Sequence, residues 1–298
     1  MWVNNMKIEN YNIPTITESI PHGDMPSDVI QINDEHIKKA STIFPLLVEE
    51  INELNKDKIV ISVFGGSGVG KSEIASVLSY YLNQNGINTY IMSGDNYPYR
   101  IPLYNDAERL SIFRSNGLKA LVKEGIYNKE TKEALTKLWA DEVDSDPKKI
   151  DEYPFLDIYQ KGGRIGLKNY LGTANEQDYV QVNGIIKEFK EGKENIFFKR
   201  MGRSEDERFY DSIDTSKINV LIIEWTHGGN ANIEGIDIPI LLNSTPEETK
   251  AHRLSRARDG KVDSAFTTMV LEIEQEELDD RRSSAKIIIS KQGELLDR

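Results

Sequence analysis

Gly65-Gly-Ser-Gly-Val-Gly-Lys-Ser72 is the stretch that decides how this chain reads. It fits the pattern G-x-x-x-x-G-K-[ST], and each part has a chemical reason. Glycine lets the backbone wrap tightly, so that successive N–H groups point at phosphate oxygens. Lys71 can reach the β- and γ-phosphates of a nucleotide, and the Ser72 hydroxyl can ligate Mg²⁺. Gly65, Gly66, Ser67, Gly68, Val69, Gly70, Lys71 and Ser72 are therefore the expected nucleotide-binding residues.

The flanks have the form such a loop requires. Before it, Lys58-Ile-Val-Ile-Ser-Val-Phe64 is a short β-branched apolar run, the pattern of a buried strand. After it, residues 71–84 carry Ile74, Val77, Leu78, Tyr81 and Leu82 on one helical face. A helix starting there aims the positive end of its dipole at the bound anion.

Further outward, residues 87–92, 219–225, 236–242 and 286–290 read as four more strands. Strands alternating with helices predict an α/β fold: a P-loop core with a five-stranded parallel sheet between helices. Residues 34–56 read as a helix, with Ile37, Ala40, Phe44, Leu47, Val48, Ile51 and Leu54 at three- and four-residue steps and Asp34 as N-cap. Residues 1–33, with Pro14, Pro21 and Pro26, read as an irregular arm. More than a hundred residues separate the second and third strands, too many for a loop. Residues 106–123, 129–143 and roughly 175–190 look helical, so a mostly helical insertion is expected; the glycine-rich stretch 162–172 reads as a flexible turn. The expected organisation is an arm and helix at 1–57, a kinase-like core at 58–99 and 205–298, and an acceptor-side insertion at 100–204.

Composition narrows the functional classes. The 298 residues are 38% hydrophobic and 29% charged, enough apolar content for a core. A formal net charge of −12 argues against a nucleic-acid partner, which calls for a basic face. With no cysteine there are no disulfides, thiolate metal sites or cysteine nucleophiles. No apolar run approaches the ~18 residues of a membrane span, and the N-terminus has no signal-peptide pattern, so a soluble cytoplasmic protein without a membrane partner is expected. The sequence specifies no oligomeric state and is compatible with a homodimer.

Two carboxylates stand at expected strand ends: Asp95 in Ser93-Gly-Asp-Asn-Tyr-Pro-Tyr-Arg100, and Glu224 in Leu221-Ile-Ile-Glu-Trp-Thr-His227. In an open parallel sheet, ligands gather beyond the carboxyl ends of the strands. Phosphoryl transfer needs Mg²⁺ and a group that orients or deprotonates the acceptor. Asp95 is the candidate base, although Gly-Asp-Asn before Pro98 is also good turn chemistry. Glu224, with Ser72, is the candidate Mg²⁺ site; its alternative is a salt-bridged strand end. Lys71, Asp95 and Glu224 thus form the candidate catalytic set. His227 either binds substrate or caps the turn before Gly228 and Gly229. Arg100, in the loop nearest the sheet edge, is the expected contact for an anionic or hydroxyl-rich acceptor, whereas Arg109 and Arg114 are expected on solvated helix surface. Arg253, Arg256 and Arg258 lie on a segment starting near Pro246, where a helical lid could close over the nucleotide.

In their order, GGSGVGKS, SGDNYPYR, LIIEWTH, HRLSRARDG and AKIIIS resemble the phosphoribulokinase/uridine kinase family. The resemblance covers about 58–99 and 205–291. It implies ATP and Mg²⁺, Asp95 as base, Glu224 near the metal, and Arg256 and Arg258 as nucleotide-binding lid residues. Arg208-Phe-Tyr-Asp-Ser212 is similar to the family's Tyr-Asp stretch, which implies Tyr210 at the acceptor site; Tyr97 joins it as a candidate from the loop after Asp95. Trp225 stands where the family usually has glycine. The loop with Asp95 also looks like that of adenylylsulfate kinases.

The leading expectation is an ATP-dependent kinase acting on a hydroxyl of a small molecule: a sugar, polyol, sugar phosphate or nucleoside-like compound. The alternatives are an adenylylsulfate-type kinase and a P-loop ATPase or nucleotide-binding regulator without an acceptor. A guanine-reading Asn-Lys-x-Asp is absent after the loop; Asn55-Lys-Asp-Lys58 precedes it and does not match.

Overall fold

The computed structural model describes residues 7–26, 29–256 and 264–297. Its α-helices and strands, in chain order, are α1 (Asp34–Leu54), β1 (Ile59–Gly65), α2 (Lys71–Gln84), β2 (Thr89–Ser93), α3 (Pro102–Lys123), α4 (Lys129–Ala140), α5 (Leu156–Lys168), α6 (Tyr179–Lys190), β3 (Asn195–Met201), β4 (Arg208–Asp214), β5 (Val220–Glu224), β6 (Ile238–Leu242), α7 (Pro246–Arg256), α8 (Ala265–Asp280) and β7 (Ile287–Ile289). None of the described helices is long and apolar enough to cross a membrane.

Five strands form one parallel sheet in the order β2-β5-β1-β6-β7. The expected five-stranded parallel sheet is therefore present. Its strands are mostly apolar because both faces are covered. Successive side chains point to opposite faces, and the cores divide accordingly. Ile59, Ile61 and Val63 of β1, with Val220 and Ile222 of β5, pack against Phe44, Leu47 and Ile51 of α1 and Ile74, Val77 and Leu78 of α2. Val60, Leu221 and Ile223 face the other way, onto Val182, Ile186 and Phe189 of α6 and Phe198 of β3.

Register places the chemistry. Glu224 ends β5 between Val63 of β1 and Ser93 of β2, its Cα partners on either side. The carboxyl ends of β2 and β5 are thus level, β1 runs two residues further to Gly65, and the loops after β1 and β2 leave the sheet near Glu224.

Between β2 and β5 the chain makes four helices and a separate antiparallel hairpin, β3–β4. The hairpin straddles the expected boundary at 204/205. Phe113 and Leu121 of α3, Leu156, Tyr159 and Leu167 of α5, and Val270 and Ile273 of α8 build a third apolar cluster there.

Two local expectations are corrected, and a third, the irregular arm, holds. The glycines of 162–172 do not form a flexible turn: Gly162, Gly163 and Gly166 lie inside α5. They let α5 press against α3, since a Cβ on Gly163 would fall 2.4 Å from the Phe113 ring. The cap of α1 is Asn33, whose side chain accepts the His36 N–H, and Asp34 is the first helical residue. The arm before α1 has no helix or strand among its described residues, yet it is not a loose tail. Ile8 is buried against α1, and Asp24 is buried beside the sheet.

Candidate active site

A cleft of about 790 Å³ opens over the carboxyl ends of β1, β2 and β5. The phosphate loop supplies Ser67, Gly68, Gly70, Lys71 and Ser72 to its wall; Asp95, Arg100, Glu224 and His227 also line it. A second concavity of about 500 Å³, between Ser145–Ile150 and Arg164 of α5, contains none of the phosphate-loop or catalytic candidates.

The loop takes its shape from glycine. Gly68 and Gly70 have φ of +76° and +97°, where a side chain would be strained. Gly70 precedes α2, whose first N–H groups have no partner within the helix. Lys71 Nζ donates to the Gly66 carbonyl at 3.1 Å, bending back over the loop. On the outer side, His252 Nδ1 lies 2.8 Å from the Gly68 carbonyl oxygen. Gly65 ends β1, and Val69 is buried beneath the loop.

Glu224 is the centre of the polar set. Its side chain is almost fully buried and accepts hydrogen bonds from the Ser72 hydroxyl at 3.1 Å and from Ser93 Oγ. Burial, followed by the negative charge of Asp95, pushes its pKa up to about 8. Asp95 itself is exposed on a single 3₁₀ turn, Gly94–Asn96. Gly94 is required there, because a Cβ would fall 2.0 Å from Cγ of Trp225.

The Ser72 hydroxyl and Glu224, with Asp95 on the same wall, are hard oxygen donors of the kind Mg²⁺ takes alongside phosphate oxygens and water. A cation at Glu224 would relieve the two effects that lift its pKa. No group of three or more His, Asp or Glu that could by itself hold a metal occurs among the described residues.

On the wall formed by α3, Arg100 lines the cleft and donates to the Tyr170 hydroxyl at 3.1 Å, with Glu108 3.7 Å from its other terminal nitrogen. Arg109 departs from expectation. It is half-buried at the cleft wall, with Nε 2.6 Å from Glu176 and with Asp106 and Glu274 at 3.8 and 3.7 Å. Glu176 is wholly buried and also accepts from Asn105 Nδ2 and the Gly172 N–H. Arg114 is not solvated either, since it grips Asp144 with two nitrogens at 2.9 and 3.1 Å.

His227 is buried at the cleft wall, and burial drives its pKa down to about 3, so the ring is neutral. Its Nδ1 makes no hydrogen bond and faces Gly172.

Two candidates lie elsewhere. Tyr97 has no exposed surface and packs into the core beneath the sheet, because the 3₁₀ turn that sends Asp95 outward sends Tyr97 inward. Tyr210 sits on β4 and accepts from Gln181 Nε2 at 3.0 Å; the hairpin carries it away from the cleft lining. Arg253 lines the cleft from α7, donating to the Pro246 carbonyl at 2.8 Å. Arg256 ends α7, and Arg258 lies outside the described residues.

Arg109, Glu176 and Glu274 were not singled out as site residues in the sequence. Glu176 is 67 positions from Arg109, and only the pairing makes either notable. The arm residues Met25 and Pro26, which also line the cleft, carried no signal beyond proline.

No family model matches the chain. Over 262 residues, 88% of its length, it is 32% identical to the bifunctional alpha-galactosidase/sucrose kinase AgaSK of Mediterraneibacter gnavus, and it spans 23% of that protein's length. Among solved structures it is similar to D-glycerate 3-kinase from Cryptococcus neoformans var. grubii, with a TM-score of 0.48, 13% identity, and coverage of 89% of this chain and 98% of that one. It is also similar to a protein from Silicibacter sp. TM1040 described as a fructose transport system kinase, with a TM-score of 0.47, 13% identity, and coverage of 83% and 94%.

Proposed function

We propose that the chain is a P-loop kinase of the phosphoribulokinase/uridine kinase type and that it transfers the γ-phosphate of ATP to a hydroxyl of an uncharged sugar. One observation carries the reading: Glu224 lies beside Val63 of β1 and Ser93 at the end of β2, hydrogen-bonded to Ser72 of the phosphate loop and to Ser93 before the Asp95 turn. Phosphate grip, metal donors and base thus converge on one edge of the sheet.

Each group has a role. The loop N–H groups and Lys71 hold the β- and γ-phosphates. Ser72 and Glu224 hold Mg²⁺, which when bound offsets charge on the phosphates. Asp95 accepts the proton of the attacking hydroxyl as its oxygen bonds to the γ-phosphorus and the bond to the ADP oxygen breaks. Arg253, from α7, adds positive charge at the phosphate end of the cleft. Arg256 and Arg258 remain candidates for the same end.

The charge balance of the acceptor side favours a neutral substrate. Arg109 is surrounded by Glu176, Glu274 and Asp106, and Arg100 is met by Glu108. An acceptor bearing phosphate, sulfate or carboxylate would have to compete with these carboxylates, above all the wholly buried Glu176, for the same guanidinium groups. Hydroxyl groups can instead share paired donors and acceptors. This weighs against an adenylylsulfate-type acceptor. The name of the 32% identical relative includes sucrose kinase, so sucrose heads the acceptors to test.

The test is ADP release with MgATP across sucrose, other neutral sugars, polyols, nucleosides, sugar phosphates, glycerate and adenylylsulfate. A neutral sugar should raise turnover far above the water background. Stimulation only by anionic acceptors would overturn the substrate class. No stimulation by any of them would favour an ATPase or nucleotide-binding regulator.

A further inference from the structure

The arm before α1 delivers a buried carboxylate to the turn that carries Asp95. The Asp24 side chain is only 7% exposed, and both its oxygens are fully engaged. Oδ1 accepts the Ser93 backbone N–H at 2.8 Å and Asn96 Nδ2 at 2.9 Å. Oδ2 accepts the Tyr90 hydroxyl at 2.9 Å and Arg200 Nη1 at 2.8 Å. Ser93 and Asn96 stand two residues before Asp95 and one residue after it. A single oxygen therefore ties down both flanks of the candidate base.

The ties continue in both directions. Ser93, held through its backbone, gives its hydroxyl to Glu224. Asn96, held through its amide nitrogen, uses its oxygen to accept the Met201 N–H of β3 at 2.9 Å. Arg200, from the same strand, is braced by Asp211 at 3.1 Å and by the Tyr90 hydroxyl at 2.7 Å. The arm itself lies against the site: a Cβ on Gly23 would stand 3.8 Å from Glu224 Oε1, and Met25 and Pro26 line the cleft.

We propose that Asp24 is a positioning residue: its carboxylate fixes the Gly94–Asn96 turn so that Asp95, and through Ser93 also Glu224, are held in one geometry at the phosphate loop. The proposal rests on the kinase reading for its catalytic consequence and on the hydrogen bonds alone for its structural one. Neutralising Arg200 would use only Oδ2. Oδ1 is given wholly to the two flanks of Asp95, which a charge-balancing role does not require. Burying a carboxylate costs several kcal/mol, so a residue serving merely to seal the arm would be better apolar.

Three variants of the full chain test this: Asp24→Ala, Asp24→Asn and Tyr90→Phe. Tyr90→Phe removes one bond to Oδ2 and leaves Oδ1 untouched. Two readouts are taken, steady-state kinetics and amide hydrogen exchange over residues 93–97. Asp24→Ala should lower kcat about 30-fold or more with KM for ATP within about threefold, as expected when reacting groups shift by up to an ångström. Exchange at 93–97 should rise about tenfold or more while β1 and β6 keep their protection. Asp24→Asn, which retains one oxygen for Ser93 and Asn96, should recover part of kcat; Tyr90→Phe should stay within about twofold of wild type.

Unchanged exchange at 93–97 in a folded Asp24 variant overturns the proposal. So do equal losses of kcat in Asp24→Ala and Tyr90→Phe that simply follow their stabilities. If Asp24→Ala does not fold, Asp24→Asn carries the same comparison. If the wild type shows no acceptor-dependent turnover, the kinase reading fails, and exchange still decides whether Asp24 holds the turn.

Discussion

Trp225 packs onto the backbone of Gly94 so closely that a Cβ at residue 94 would fall 2.0 Å from its Cγ and 2.3 Å from its Cδ2. The indole follows Glu224 directly, and the glycine precedes Asp95 directly. The two candidate carboxylates are thus spaced by a ring lying against a backbone. The room for the indole comes from the facing turn. Gly94→Ala should therefore displace the turn or the ring. We expect kcat to fall at least about tenfold, with nucleotide affinity changed less, since the clash lies off the phosphate loop. Acceptor kinetics beside a nucleotide titration check this; wild-type kcat in a folded Gly94→Ala protein would refute it.

Asp95 and Lys71 separate chemistry from binding. Asp95→Asn keeps the size of the side chain and removes the proposed proton acceptor, so turnover should drop about 100-fold or more while ATP still binds. Lys71→Ala should abolish transfer by removing the cation at the transferred phosphate. Calorimetric ATP titration with single-turnover assays distinguishes the two. An active Asp95→Asn protein would remove it as base.

Arg109 and Glu176 form a buried pair at the acceptor wall. Arg109→Met strands a carboxylate that has no exposed surface, which should cost about 3 kcal/mol or more. Adding Glu176→Gln should return most of that loss, because the uncompensated charge is then gone. Urea unfolding of the single and double variants gives the cycle. Additive losses would mean that the pair is not coupled.

The pH dependence of stability has a direction at Asp24. Burial lifts its pKa from 3.8 to about 6, with Arg200 pulling the other way. The folded state therefore holds that proton more tightly than the unfolded chain does. The resulting stabilisation is complete below about pH 4 and is lost as pH rises through 6. Asn at this position does not titrate. The stability of wild type relative to Asp24→Asn should accordingly fall by up to about 3 kcal/mol between pH 4 and pH 7. Urea unfolding of both proteins across that range measures it, and a difference independent of pH would contradict the shift.

Gly163 tests the α3–α5 contact. In an isolated helix Gly163→Ala would stabilise. Here the methyl meets the Phe113 ring at 2.4 Å, so it should destabilise by about 1–3 kcal/mol. A raised melting temperature would show that the helices can part at no loss.

Much of the sheet could be read from the sequence because each strand is a continuous apolar run and the phosphate loop fixes which strand leads into it. The helix 71–84 was legible residue for residue, since its start is set by the loop and its face by spacing. The glycines of α5 misled because their role is set by a partner helix some fifty residues earlier in the chain. Tyr97 misled for a related reason: it neighbours Asp95 in sequence, but a 3₁₀ turn separates the directions of their side chains. Arg109, Glu176 and Asp24 derive their meaning from pairings across 67 to 176 positions, and local pattern carries no trace of such distances.

The apolar cluster of α3, α5 and α8 is distinct from the two that clamp β1 and β5. Although Leu278 of α8 also packs against Phe64 of β1, Asn105 and Arg109 reach the cleft from α3, whose apolar partners lie in this third cluster. Changes in that cluster can reshape what the cleft accepts while leaving the phosphate grip intact. For an engineer, the proposed kinase reading makes specificity and phosphoryl transfer separate dials: substitutions on the cleft-facing side of α3 should retune the first, and those at the sheet edge should silence the second.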